Sequence, residues 1–160
     1  MNKFLNKNNF YYIAIALAIA IFFSVDRTLK ALALNFKTIQ PFQLIGDILS
    51  FQFTANSYMA FSLPLGGLLL NTLIIVVIVL LLIYIIYLIF YKDDRKLEII
   101  LLSIIFTGAL SNIFDRLIYG YVIDYLELKY FTVFNLADVM ISGGAIILIL
   151  KNLKNKETIS

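Results

Sequence analysis

Residues 111–138 read SNIFDRLIYGYVIDYLELKYFTVFNLAD, and the rest of the chain is organised around this stretch. Asp115 lies at the end of one long apolar run, Asp138 at the start of the next, and Asp124 between them. Asn112 precedes Asp115 by three residues, and Asn135 precedes Asp138 by three. On a helix that spacing puts amide and carboxyl on one face, a turn apart. Gly120 reads as the turn of an extramembrane hairpin over 115–134. A carboxylate in or beside hydrocarbon is costly unless it is paired or wet, so acids placed here are candidates for function.

The flanking runs fix the fold class. The chain has 160 residues, 62% of them hydrophobic and only 14% charged, with a mean hydropathy of +0.94. A soluble domain is roughly half apolar and about a quarter charged. The expected fold is therefore an all-α membrane protein with four transmembrane helices, at about 10–25, 68–91, 97–114 and 135–150, forming a single polytopic domain over 1–160. A small extracytoplasmic β element is expected after the first helix, within about 31–65. There Leu49, Phe51 and Phe53 alternate with Ser50, Gln52 and Thr54, the period of a strand. Gly143-Gly144 in the last span would let a neighbouring helix approach closely. The first run also has the look of a cleaved signal peptide, but Asp26, Arg27 and Lys30 follow it at once, which favours a retained span. Asp26 and Lys30 would form an i,i+4 pair if the helix continues.

Charge sets the expected orientation. Four spans put both termini on one side, and that side carries eight of the thirteen basic residues in its short segments. The positive-inside rule then places both termini in the cytoplasm and Asp26, Asn56, Asp115, Asp124 and Asp138 at the outer face. A net charge of +3 gives no reason to expect a nucleic-acid partner.

The chain has no Cys and no His. Thiol nucleophiles, thiolate metal sites, a His-based zinc helix and a Ser-His-Asp triad are all excluded. No metal and no cofactor are expected, and proton transfer falls to Asp, Glu, Lys or Tyr. Two carboxyl groups held close together share a proton, which supplies a base to activate water and an acid for a leaving amine. The spacing leaves open which acids pair: Asp115 is followed by Arg116, Asp124 sits in an apolar strand-like setting, and Asp138 lies in a first helical turn where the dipole favours a carboxylate. Two other readings compete. A small proton-coupled transporter or channel subunit would spread its acids through the membrane depth. A Ser-Lys hydrolase could draw on Ser57, Ser62, Lys30 and Lys129, which nothing in the spacing pairs.

Three motifs carry a resemblance. Gly108-Ala-Leu-Ser-Asn-Ile-Phe-Asp-Arg116 resembles Gly-Ala-x-Gly-Asn-x-x-Asp-Arg, Gly120-Tyr-Val-Ile-Asp-Tyr125 resembles Gly-x-Val-Val-Asp-Phe, and Phe134-Asn-Leu-Ala-Asp138 fits Phe-Asn-x-Ala-Asp. Together they resemble the bacterial lipoprotein signal peptidase (signal peptidase II) family over nearly the whole chain. The resemblance implies an aspartic endopeptidase of the bacterial inner membrane. It would cut the signal peptide from diacylglyceryl-prolipoprotein just before the lipid-bearing cysteine, acting within membrane lipid as a monomer. It also implies that Asp124 and Asp138 form the catalytic dyad, supported by Asn112, Asp115, Arg116 and Asn135. Asp26 and Lys30 resemble the ends of the family's Asp-Gln-x-Thr-Lys, and Asn56 resembles the Asn of its Arg-Asn-x-Gly-Ala-Ala-Phe, which contacts substrate. Arg27, Leu29, Ala55, Tyr58 and Ser111 depart from these patterns, and the gap between Asp124 and Asp138 is shorter than usual, which implies a small outer flap.

Overall fold

The computed structural model describes residues 7–37, 40–57, 67–92 and 95–157. Four helices dominate it: α1 (Lys7–Asn35), α2 (Gly67–Tyr91), α3 (Lys96–Tyr119) and α4 (Leu136–Glu157). Each is long and apolar enough to cross a membrane. Most of their large side chains are exposed, as Leu, Ile and Val facing lipid are. The fold is that of a mostly helical membrane protein with four transmembrane helices and a small antiparallel sheet.

The charged residues that seem to end a span do not end the helix. The expected first span closes at 25, but α1 runs on to Asn35. Lys30 Nζ meets Asp26 Oδ2 at 3.0 Å across one turn, and both side chains are wholly buried, so these charges face protein rather than lipid. The β region consequently begins at Phe42, not near 31. In the same way α3 passes the expected limit at 114 and carries Asp115 within its last turns. Gly120 is not a hairpin turn. It caps α3 in the left-handed region (φ 79°), its N–H bonded to the Arg116 carbonyl at 3.1 Å, a conformation glycine adopts without a Cβ clash. The hairpin turns later, around Tyr130 (φ 67°).

Both connections build the sheet. β1 (Phe42–Ile45) and β2 (Leu49–Asn56) come after α1, and β3 (Val122–Leu128) and β4 (Thr132–Phe134) come between α3 and α4. All pairs are antiparallel, in the order β1-β2-β3-β4. The central β2–β3 pair sets Thr54 opposite Asp124 and Asn56 opposite Val122. Ile123 and Tyr125 pack with Ala33 of α1, so by the two-residue period Val122 and Asp124 face the other way.

Two further features lock the helices. A Cβ at Gly108 of α3 would stand 2.5 Å from the Ala137 carbonyl oxygen, so only glycine admits the start of α4 there. Of the glycine pair in α4, Gly144 lies against Ile105 of α3, whereas a Cβ at Gly143 would meet nothing outside its own helix within 4 Å. The second lock is polar. Lys30 reaches Asp115 Oδ2 at 2.8 Å as well as Asp26, and Arg27 pairs with the other Asp115 oxygen while lying 4.7 Å over the Phe114 ring. Ser111 donates to Asp26 Oδ2, and Asp26 Oδ1 accepts from the Tyr125 hydroxyl at 3.0 Å and the Ala137 N–H at 3.2 Å. Asp115 Oδ2 also accepts the Ile123 N–H at 3.3 Å. One cluster thus joins α1, α3, β3 and α4, and among the described residues no buried side-chain nitrogen or oxygen lacks a partner.

Two outcomes follow for thermal unfolding followed by circular dichroism in detergent. Lys30→Met leaves two buried carboxylates short of a cation and should cost about 3–5 kcal/mol, the penalty for breaking a buried pair; an unchanged midpoint would show that the cluster does not hold the helices. Gly108→Ala should cost about 1–3 kcal/mol by overpacking, while Gly143→Ala, in open space, should be neutral or gain up to about 1 kcal/mol.

Candidate active site

The approach of β3 to the start of α4 brings Asp124 and Asp138 into one hydrogen-bonded group. Asn135 is the residue before α4, not a member of its face. Its side-chain Oδ1 accepts the Asp138 N–H at 2.9 Å, and Asp138 Oδ2 accepts the Asn135 N–H at 3.2 Å. This is a capping box built from Asn and Asp, so the Asn-x-x-Asp spacing at 135–138 marks a helix start and not a shared helical face. Because Oδ1 is engaged, Nδ2 points away from α4. It donates to Asp124 Oδ1 at 2.7 Å and lies 3.2 and 3.3 Å from Asn112 Oδ1 and the Ile123 carbonyl. A single asparagine therefore holds both acids.

Asn112 is oriented by Lys30. An ammonium only donates, so the contact of Lys30 Nζ with Asn112 at 2.9 Å must be to its oxygen. The Asn112 NH2 is then left to donate to Asp138 Oδ1, at 2.8 Å. Asn56, at the end of β2, donates to Asp124 Oδ2 at 3.0 Å. The hydrogen-bond partners of Asp124 and Asp138 are thus amides, whereas Asp26 and Asp115 contact cations. Arg116 lies on α3, partly buried and close enough to interact electrostatically with Asp115, Asp124 and Asp138.

Asp124 is 1% exposed. Burial pushes its carboxyl up to about 7, and the charge of Asp138 adds to the shift. Hydrogen bonds from Asn56 and Asn135 and the Lys30 charge pull it partly back. Burial and then Asp26 raise the Tyr125 phenol well above its ordinary value, so it remains a donor to Asp26 while accepting the Leu136 N–H at 2.9 Å.

The group opens on a cavity of about 750 Å³. Apolar side chains of α2, including Leu70, Leu73 and Val77, form one wall, and Asn56, Asn112, Arg116 and Asp138 form its polar end. A carboxyl pair beside an apolar slot suits a substrate with a lipid or apolar portion and a hydrolysable polar bond.

All nine residues singled out in the sequence meet here: Asp26, Lys30 and Asp115 in the charge cluster, Asn56, Asn112, Arg116 and Asp138 at the cavity, and Asp124 and Asn135 hydrogen-bonded to them. The Ser-Lys alternative gains nothing. Ser57 is exposed, Lys129 lies 3.9 Å from Asp47, and Ser62 falls outside the described residues. Sequence reasoning did not find Arg27, Ser111 or Tyr125 as parts of the site. Arg27 and Ser111 were visible as departures from motifs, and Tyr125 as an aromatic residue directly after a buried acid.

Comparison with known proteins bears on the family and the fold. The family profile described as signal peptidase (SPase) II matches residues 17–154. The lipoprotein signal peptidase of Caldicellulosiruptor bescii is 38% identical over 126 residues, 79% of this chain and 81% of that protein. The lipoprotein signal peptidase of Clostridium acetobutylicum is 34% identical over 138 residues, 82% and 88% of the two chains. A solved structure described as a bacterial membrane enzyme, at 2.3 Å resolution, superposes with a TM-score of 0.78 at 26% identity, covering 91% of this chain and 90% of that one. With the profile matching residues 17–154 and relatives this similar over about four fifths of the chain, the chain belongs to the signal peptidase II family.

Proposed function

We propose that this chain, a peptidase by its family, removes the signal peptide from prolipoproteins with Asp124 and Asp138 as its catalytic dyad. The observation that carries the assignment is Asn135, which bonds Asp124 Oδ1 and caps the helix turn bearing Asp138, at the polar end of the apolar cavity. The scissile bond precedes a diacylglyceryl-cysteine, whose acyl chains lie in that cavity against α2. Lipid surrounds the helices, and the chain acts as a monomer. Both termini face the cytoplasm and the dyad faces outward, as the excess of Lys and Arg in the short segments on the side of the termini indicates.

The chemistry needs one proton shared by two carboxyls. The ionised member takes a proton from a water as its oxygen attacks the scissile carbonyl carbon. The protonated member donates to the amide nitrogen as the C–N bond breaks, leaving a carboxyl terminus on the signal peptide and an amine on the lipoprotein. Asp124 is the member biased to hold the proton, since burial and the neighbouring charge both oppose its ionisation. Asn112 and Asn135 bind the remaining carboxylate oxygens and keep both side chains in register. The Lys30 cluster holds Asn112 and β3 without itself reaching the reacting atoms.

Replacing either acid should abolish proton sharing. Asp124→Asn and Asp138→Asn should each lower processing of a prolipoprotein in membranes by about a thousandfold or more, the scale of a lost acid–base group together with its charge. Substantial cleavage by either variant would remove it from the dyad.

The pH profile has a definite sign. Below about pH 7 Asp124 keeps its proton, and above that it gives the proton up and the pair lacks that acid. The kcat/KM of the free enzyme should therefore fall on the alkaline side, with a limb near 7. The Asn56 hydrogen bond favours the ionised form, so Asn56→Ala should move that limb to higher pH. A limb that stayed in place would mean that Asp124 does not set it.

A further inference from the structure

We infer that the free edge of β4 receives the substrate's extended segment as a fifth strand of the sheet. This rests on the peptidase reading and adds how the main chain of the substrate is held. In the order β1-β2-β3-β4, β4 is an edge, and among the described residues it pairs only with β3. Thr132, Val133 and Phe134 all line the cavity that also holds Asp138 and Asn56. β4 then runs without interruption into Asn135, the residue that bonds Asp124 and caps the turn of Asp138. A peptide laid along these three residues is guided for about 10 Å and delivered to the dyad.

The substrate needs such an edge. A peptide bond in reach of attacking water must lie in extended chain, and its neighbouring N–H and C=O groups leave bulk water on entering the apolar cavity. Each such group needs a partner or costs free energy. The site's amides have little to spare: Asn112 is held between Lys30 and Asp138, and Asn135 between Asp138 and Asp124. A strand edge offers what remains, a row of alternating main-chain donors and acceptors.

The two edges of the sheet also differ in protection. Edge strands are normally blunted by charge, proline or a bulge. The outer strand β1 has an irregular register between Gln43 and Ile45. β4 reads Thr-Val-Phe, with no charge and no proline, and pairs with β3 in unbroken register. An open, regular edge facing a cavity is suited to pairing, and the period of two would send alternate substrate side chains into the cavity and away from it.

The test uses the full-length enzyme in micelles and synthetic lipidated prolipoprotein peptides. In each peptide one amide near the scissile bond, never that bond itself, is replaced by a backbone ester, which removes one N–H donor without adding bulk. Strand addition predicts that kcat/KM falls about tenfold at every second position, the worth of one hydrogen bond, and stays nearly unchanged between them. Equal losses at consecutive positions, or no loss at any, would overturn the inference. The unmodified peptide is run with wild type and Asp138→Asn. Cleavage by the first and not the second preserves the peptidase reading even where the alternation is missing.

Discussion

A single ammonium group holds the architecture together. Lys30 Nζ is fully buried and lies within 3.3 Å of Asp26, Asp115, Asn112 and Ser111. An isolated charge in this setting would be untenable, and so would either acid without it. The need for mutual neutralisation forces α1 against α3. Asp26 then recruits Tyr125 of β3 and the Ala137 N–H of α4, while Asp115 takes the Ile123 N–H. In lipid, apolar burial gives helices little reason to associate, so small residues and polar contacts carry much of the packing. This chain uses both, with Gly108 and Gly144 at the close approaches and Lys30 at the polar centre.

The same cluster orients the proposed dyad at a distance. Lys30 fixes the oxygen of Asn112, which fixes its NH2 on Asp138. The N-cap of α4 fixes the oxygen of Asn135, which fixes its NH2 on Asp124. Neither amide can flip without facing a donor with a donor. Asp138 also stands in the first turn of α4, where its backbone exchange with Asn135 fixes the carboxyl and the helix dipole favours negative charge. Preorganisation here comes from hydrogen-bond polarity, which the sequence encodes as a pattern of Asn, Asp and Lys.

Much of this was legible in the chain, and the misreadings share a cause. Leu68 to Tyr91 could be nothing but a membrane helix, and the alternation from Leu49 revealed β2. Limits at 25 and 114 fall too early because Asp26, Lys30 and Asp115 look costly against lipid, when each faces another helix. Arg27 meets Asp115 across 88 positions of sequence, a separation at which local spacing is silent. At three residues, β4 is too short to show a period, and its role depends on β3 beside it. Asn-x-x-Asp was recognised as a unit, but periodicity alone does not separate a helical face from a capping box. The distinction lies in which residue begins the helix.

The four acids Asp26, Asp115, Asp124 and Asp138 differ in what faces them, and the difference bears on the proposed chemistry. Asp26 and Asp115 face Lys30 and Arg27, two acids against two cations, so their charges are matched within the cluster. Asp124 and Asp138 are bonded by amides, which steady a carboxylate without cancelling its charge. Two such groups in one low-dielectric group repel when both are ionised, and retaining one proton relieves the repulsion. The rise of Asp124 to about 7 is that repulsion added to burial. One pair of acids thus sits against cations and ties helices together, and the other, the proposed dyad, sits among amides that leave its charge less compensated.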